Sequence, residues 1–71
     1  MPLLAVILGL FAACSSADER ANQLYSIAEL EEQQRNTDHA TQLYKEIIEK
    51  YPHTSFADQA KARLQELEKP R

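Results

Sequence analysis

Apolar residues recur at helical spacing in three stretches of this chain, and a fourth stretch, at its start, is apolar throughout. Ala40, Leu43, Tyr44, Ile47, Ile48 and Tyr51 fall at i, i+3, i+4, i+7, i+8 and i+11. Those positions line one face of a helix with 3.6 residues per turn, so an amphipathic helix is predicted from about Asp38 to Lys50. Lys45 with Glu49, and Glu46 with Lys50, put charge pairs on its opposite face. An earlier helix is predicted from about Asp18 to Gln34. Its stripe is Ala17, Ala21, Leu24, Tyr25 and Ala28, widened by Ile27 and Leu30. Asp18 and Glu19 suit the positive end of its dipole, and Glu31 with Arg35 makes an i,i+4 pair. A third helix is predicted from about Phe56 to Lys69, with Phe56, Ala57, Ala60, Leu64 and Leu67 as its stripe.

The breaks have chemical causes. Asn36 or Thr37 can cap the second helix, because either side chain accepts a bond from a free backbone N–H. Pro52 ends that helix: it disfavours helical geometry at Tyr51 and has no N–H to continue the ladder. Ser55 is placed to cap the third helix, with Asp58 three residues on as a short variant of the capping box. Pro70 stops the helix at Lys69. Between the breaks the chain is rich in Ala, Leu, Glu, Gln, Lys and Arg, the strong helix formers. The expectation is an all-α domain of three helices over residues 18–69.

The opening stretch behaves differently. Leu3 to Ala13 is eleven apolar and small residues, and it stops at Cys14, the only cysteine. A membrane span needs about 20 apolar residues, whereas a signal-peptide apolar region needs about 7 to 15. Residues 1–13 therefore read as an export address. Cys14 marks where the remaining chain begins, and Ser15-Ser16-Ala17 forms a polar tether. The other reading is an uncleaved apolar terminus with Cys14 as a small hydrophobe. No disulfide can form within a chain that has one cysteine.

Leu10-Phe11-Ala12-Ala13-Cys14-Ser15-Ser16 resembles the lipobox of bacterial lipoprotein signal peptides, with Ala12, Ala13 and Cys14 in matching positions. The resemblance implies cleavage before Cys14 and covalent diacylglycerol and acyl chains on it. Residues 14–17 would then be a lipidated tether, with no other cofactor. Ser15 in place of Asp resembles the sorting rule for the outer membrane, which implies a lipid-anchored position at its periplasmic face. Phe11 stands where the family usually has Leu. Met1-Pro2-Leu3-Leu4 lacks the basic residues of such peptides, which an in-frame start upstream would supply.

The segment Ala40 to Ala60 resembles a tetratricopeptide (TPR) repeat, through Ala40, Tyr44, Ile47, Tyr51, Pro52, Ser55, Ala57 and Ala60. It is similar to the form found in bacterial envelope proteins, among them lipoproteins of the barrel-assembly machinery and periplasmic proteins of the Tol-Pal system. Ala21, Tyr25 and Ala28 have the spacing of half a preceding repeat. A TPR-like helix hairpin preceded by one helix implies a protein-binding surface. About three repeats are usually needed to bury a continuous core, and this chain has about one and a half. A residual apolar face would then dock a partner, either another envelope protein or a second copy. A plain three-helix bundle closing on itself is the alternative architecture.

Composition narrows the chemistry. Cys14 to Arg71 holds all eleven acidic and all eight basic residues, for a net charge of −3, which argues against nucleic acid as a partner. That segment is 58 residues, one domain at most, and so short a domain buries only about 60% of its unfolded surface. His39 and His53 stand fourteen apart without a cysteine or paired carboxylate at ligand spacing, and read as solvated. Glu29, Glu31 and Glu32 read as a solvated helix face. There is no Gly-rich phosphate loop and no nucleophile elbow, so neither an enzyme nor a small-molecule substrate is expected. The candidate protein-binding residues are Tyr25, Tyr44, Tyr51 and Phe56, since aromatic residues anchor interfaces. Core packing is the competing role for the tyrosines. The expected function is an envelope-tethered adaptor. The alternative is a self-assembling structural or stress-related lipoprotein.

Overall fold

A computed structural model describes the backbone of residues 2–70 and the side chains of residues 17–70. The expected signal segment, the lipidation site Cys14 and most of the tether lie outside the residues with described side chains. The chain is all-α: α1 is Pro2–Gln33, α2 is Thr37–Lys50 and α3 is Ser55–Glu68. No strand occurs among the described residues. α1 is assigned ahead of its expected start at Asp18, and no glycine or proline stands between Leu10 and Arg35 to stop it.

α1 ends in a backbone motif that the side chains do not announce. The Asn36 N–H donates to the Glu31 carbonyl at 2.8 Å, and the Arg35 N–H donates to the Glu32 carbonyl at 2.9 Å. This pair of bonds is a Schellman cap, and it requires a left-handed residue between helix and turn. That residue is Arg35, with φ 64°. Glycine normally sits here, and a residue with a Cβ costs about 1–2 kcal/mol. Arg35 therefore leaves the helix axis, and the expected Glu31–Arg35 pair along one helix face is replaced. Glu31 Oε2 instead accepts from Asn36 Nδ2 at 2.6 Å and lies 3.3 Å from His39 Nδ1.

The caps of α2 and α3 also differ from expectation. Asn36 occupies the N-cap position of α2, but its side chain makes no capping bond, because Glu31 holds it. α3 is capped by Thr54, not by Ser55. Thr54 Oγ1 accepts from the Ala57 N–H at 3.3 Å and donates to the Tyr51 carbonyl at 2.8 Å. Pro52 explains the offset. The chain must turn through residues 52–53 before it can re-enter a helix, and Thr54, with φ −92° and ψ 155°, has the extended backbone a cap needs.

The core is Ala21, Ala28, Ala40, Tyr44, Ile47, Ala57, Ala60 and Leu64. Five of these are alanines, which let helix axes approach closely, and Tyr44 and Ile47 are the largest fully buried side chains. α2 packs extensively against both neighbours, while α1 and α3 meet over a smaller area. Ala17 is exposed, and Ile27 and Leu30 keep 44% and 50% of their surface in solvent. These residues do not widen the buried face as expected. Ala28 is fully buried, and successive helix positions turn by about 100°, which carries Ile27 to its flank and Leu30 to nearly the opposite face.

Candidate functional site

Glu32 lies in the last turn of α1, four residues beyond buried Ala28, so it projects along the same face. Its carboxylate meets both other helices. Tyr44 of α2 donates its hydroxyl proton to Glu32 Oε2 at 2.5 Å. Arg63 of α3 donates from Nε to both carboxylate oxygens at 2.9 Å, and from Nη2 to Oε1. The Glu32 side chain is only 14% exposed, while Arg63 is 45% exposed and covers it from outside. One carboxylate thus ties together three helices. This departs from the expectation that Glu29, Glu31 and Glu32 form a solvated face: Glu29 is exposed, but Glu31 and Glu32 are half-buried and bonded.

The electrostatics agree in sign across the cluster. The Arg63 hydrogen bond holds the Glu32 carboxyl below the usual carboxylate range, assisted by Tyr44 and opposed by partial burial. Burial pushes the Tyr44 hydroxyl up, and its bond to anionic Glu32 pushes it further. The same bond to Glu32 strengthens the hold of Arg63 on its proton. Burial, then the charge of Glu29, also raises the Tyr25 hydroxyl. The cluster is a charge-assisted network in which the fold favours neutral tyrosines and an anionic Glu32.

The four aromatic candidates have different placements. Tyr25 of α1 stands edge-on to Tyr44 at 5.4 Å between ring centres with 64° between planes. It also meets Phe56 of α3 at 5.9 Å with 49°. Three of the four candidates therefore form one aromatic cluster joining all three helices. Tyr51 packs on the core from the α2–α3 turn, away from any aromatic pair among the described residues. Tyr44 is fully buried, so only Tyr25, Tyr51 and Phe56 offer surface to a partner.

Beside Glu32 opens a cleft of about 920 Å³, between the end of α1, the start of α2 and the end of α3. Arg35, Thr37, Leu67, Lys69 and Pro70 line it, together with Glu66 and the Glu32–Arg63 pair. Lys69 Nζ lies 3.1 Å from Glu66 Oε1. Neither Arg35 nor Arg63 was singled out from the sequence as a site residue. The signal for Arg63 was present: Ala60, Arg63, Leu64 and Leu67 share helical spacing, so Arg63 had to lie at the edge of the α3 stripe. Among the described residues no group of three His, Cys, Asp or Glu side chains is arranged to hold a metal ion. No helix, among the described residues, is long and apolar enough to cross a membrane. Searches against protein-family models, curated proteins and solved structures find no match to this chain.

Proposed function

We propose that this chain is a small lipid-anchored adaptor of the bacterial envelope, in which Cys14 carries the lipid and the three helices bind another protein. The observation that carries the reading is the eleven-residue apolar run ending at Cys14, followed by a polar tether and then a helical unit with its own core. Two acyl-type attachments suffice for stable anchoring, each buried CH₂ contributing about 0.8 kcal/mol, so the helices need no apolar face toward lipid. The burial of Ala40, Tyr44, Ile47, Ala57 and Ala60 supports a TPR-like hairpin, since these are positions on which that resemblance rests. The function is binding and not catalysis. Half-buried Tyr25 lines a shallow polar groove with Glu29, Glu32 and Arg63, an arrangement suited to a protein partner.

Expression in a Gram-negative host, with membrane fractionation and intact mass spectrometry, tests the anchor. A species starting at Cys14, bearing diacylglycerol and acyl mass and sedimenting with membranes, is expected. A Cys14→Ser chain is expected to lack that mass. Recovery of unmodified Met1–Arg71 from the soluble fraction refutes the proposal. A second reading, self-assembly, is favoured by the exposed Ile27 and Leu30 on α1. Cross-linking in cells from a photoreactive residue at Tyr51 separates the two. One discrete heterologous adduct supports the adaptor, and a ladder of multiples of the chain supports self-assembly.

A further inference from the structure

We infer that the cleft at the ends of α1 and α3 docks an acidic peptide segment of a protein partner, with Arg35 as its recognition residue. The inference rests on the adaptor reading of the helices and is independent of the anchor. The cleft's charge is the first argument. Three cations, Arg35, Arg63 and Lys69, face two carboxylates, Glu32 and Glu66. Both carboxylates are already neutralised within the chain, Glu32 by Arg63 and Glu66 by Lys69. Among the described residues no carboxylate lies within ion-pairing distance of Arg35. Among the described residues the unbalanced charge of the cleft is therefore a guanidinium, in a protein whose net charge is −3.

The second argument is the position of that guanidinium. Arg35 holds the left-handed position that a Schellman cap reserves for glycine. The chain carries a strained residue there, and no internal ion pair among the described residues offsets the strain. Local rules broken without an internal gain point to function. A guanidinium forks two parallel donors toward one carboxylate, which a lysine cannot reproduce. Leu67 and Pro70 supply apolar wall beside it. The fitting occupant is an extended segment in which acidic and aliphatic side chains alternate, and the volume of about 920 Å³ accommodates several residues.

The test uses the full chain in non-ionic detergent and fluorescence anisotropy of a short labelled peptide alternating glutamate and leucine. Saturable binding that weakens with added salt is expected, with no binding of the matching lysine–leucine peptide. Arg35→Gly is expected to weaken binding about tenfold or more while raising the melting temperature, so that lost binding cannot be assigned to lost folding. Arg35→Gln keeps the strained backbone, removes the charge and is expected to lose affinity equally. Affinity for the acidic peptide unchanged in both variants overturns the proposal. So does equal binding of the lysine peptide, or binding of vesicles containing anionic phospholipid in place of the peptide. Retained cross-linking to an envelope protein in an Arg35→Gln chain would sink this site while leaving the adaptor reading standing.

Discussion

Thr54 and Arg35 are single residues on which the two turns depend, and their energetics have opposite signs. Thr54 satisfies the Ala57 N–H and the Tyr51 carbonyl with one buried hydroxyl. Replacing it with alanine removes both side-chain bonds and leaves the Ala57 N–H and the Tyr51 carbonyl only their backbone bonds to Thr54, at a cost of about 1 kcal/mol. In a domain this small, each kcal/mol moves the melting temperature by about 4–8 °C. Thr54→Ala is therefore expected to melt several degrees lower by circular dichroism. Ser55→Ala, at the exposed neighbour, is expected to stay within about 0.5 kcal/mol of the parent. Equal losses in the two variants would place the cap one residue later than Thr54. Arg35→Gly relieves the left-handed backbone and pays part of that gain back in unfolded-chain entropy. The net effect is a stabilisation of about 1 kcal/mol, read as a higher denaturant midpoint at unchanged slope.

At the scale of the helices, periodicity made the elements legible, while side-chain partners decided what it could not. α2 repeats its apolar residues without a fault, and its expected span differs from Thr37–Lys50 by one residue at the start. The α1 stripe was read too broadly. Ile27 and Leu30 are apolar enough to join any stripe, but their angular position is fixed by the alanines that permit close approach. Glu32 and Arg63 were missed for a related reason. Each lies in register with a buried face, but a lone charge in an apolar stripe reads as solvated until its partner, 31 residues away, is known. The N-caps were ambiguous because Asn36, Thr37, Thr54 and Ser55 are all competent, and tertiary bonds chose among them. Ile47 is where the element scale is most sensitive, being fully buried in the helix that touches both others. Ile47→Ala is expected to cost about 2–5 kcal/mol. A domain of this size holds only roughly 3–9 kcal/mol in all, so most helical signal should vanish at moderate temperature. Retention of a cooperative melt near the parent's would show that the core collapses around the lost side chain.

For the whole molecule, the joint at Glu32 makes folding of the three helices answer to pH in two separate windows. Glu32 titrates in the native state below its ordinary value, so the folded form favours the anion. The stability this confers is complete above the unfolded carboxylate pKa, near 4.5, and is lost as pH falls through the lower native value. Tyr44 is displaced upward from 10.0, so the folded form favours the neutral phenol. Its contribution is complete below pH 10 and is lost as pH rises toward the native value. Between those windows neither group changes charge, and the two contribute a flat plateau. Urea midpoints measured across pH should therefore fall at both ends for distinct reasons. Glu32→Gln is expected to lower the plateau and flatten the acid limb. Tyr44→Phe keeps the ring packed on Tyr25 and removes only the hydroxyl, so the acid limb should survive in weakened form while the alkaline limb flattens. Because Arg63 remains charged throughout, losing Glu32 leaves its guanidinium without the carboxylate it covers, whereas losing the Tyr44 hydroxyl leaves that ion pair in place. Glu32→Gln should accordingly be the more damaging of the two at neutral pH. The reverse order would mean that the buried phenol, and not the carboxylate, holds α1 to the other helices.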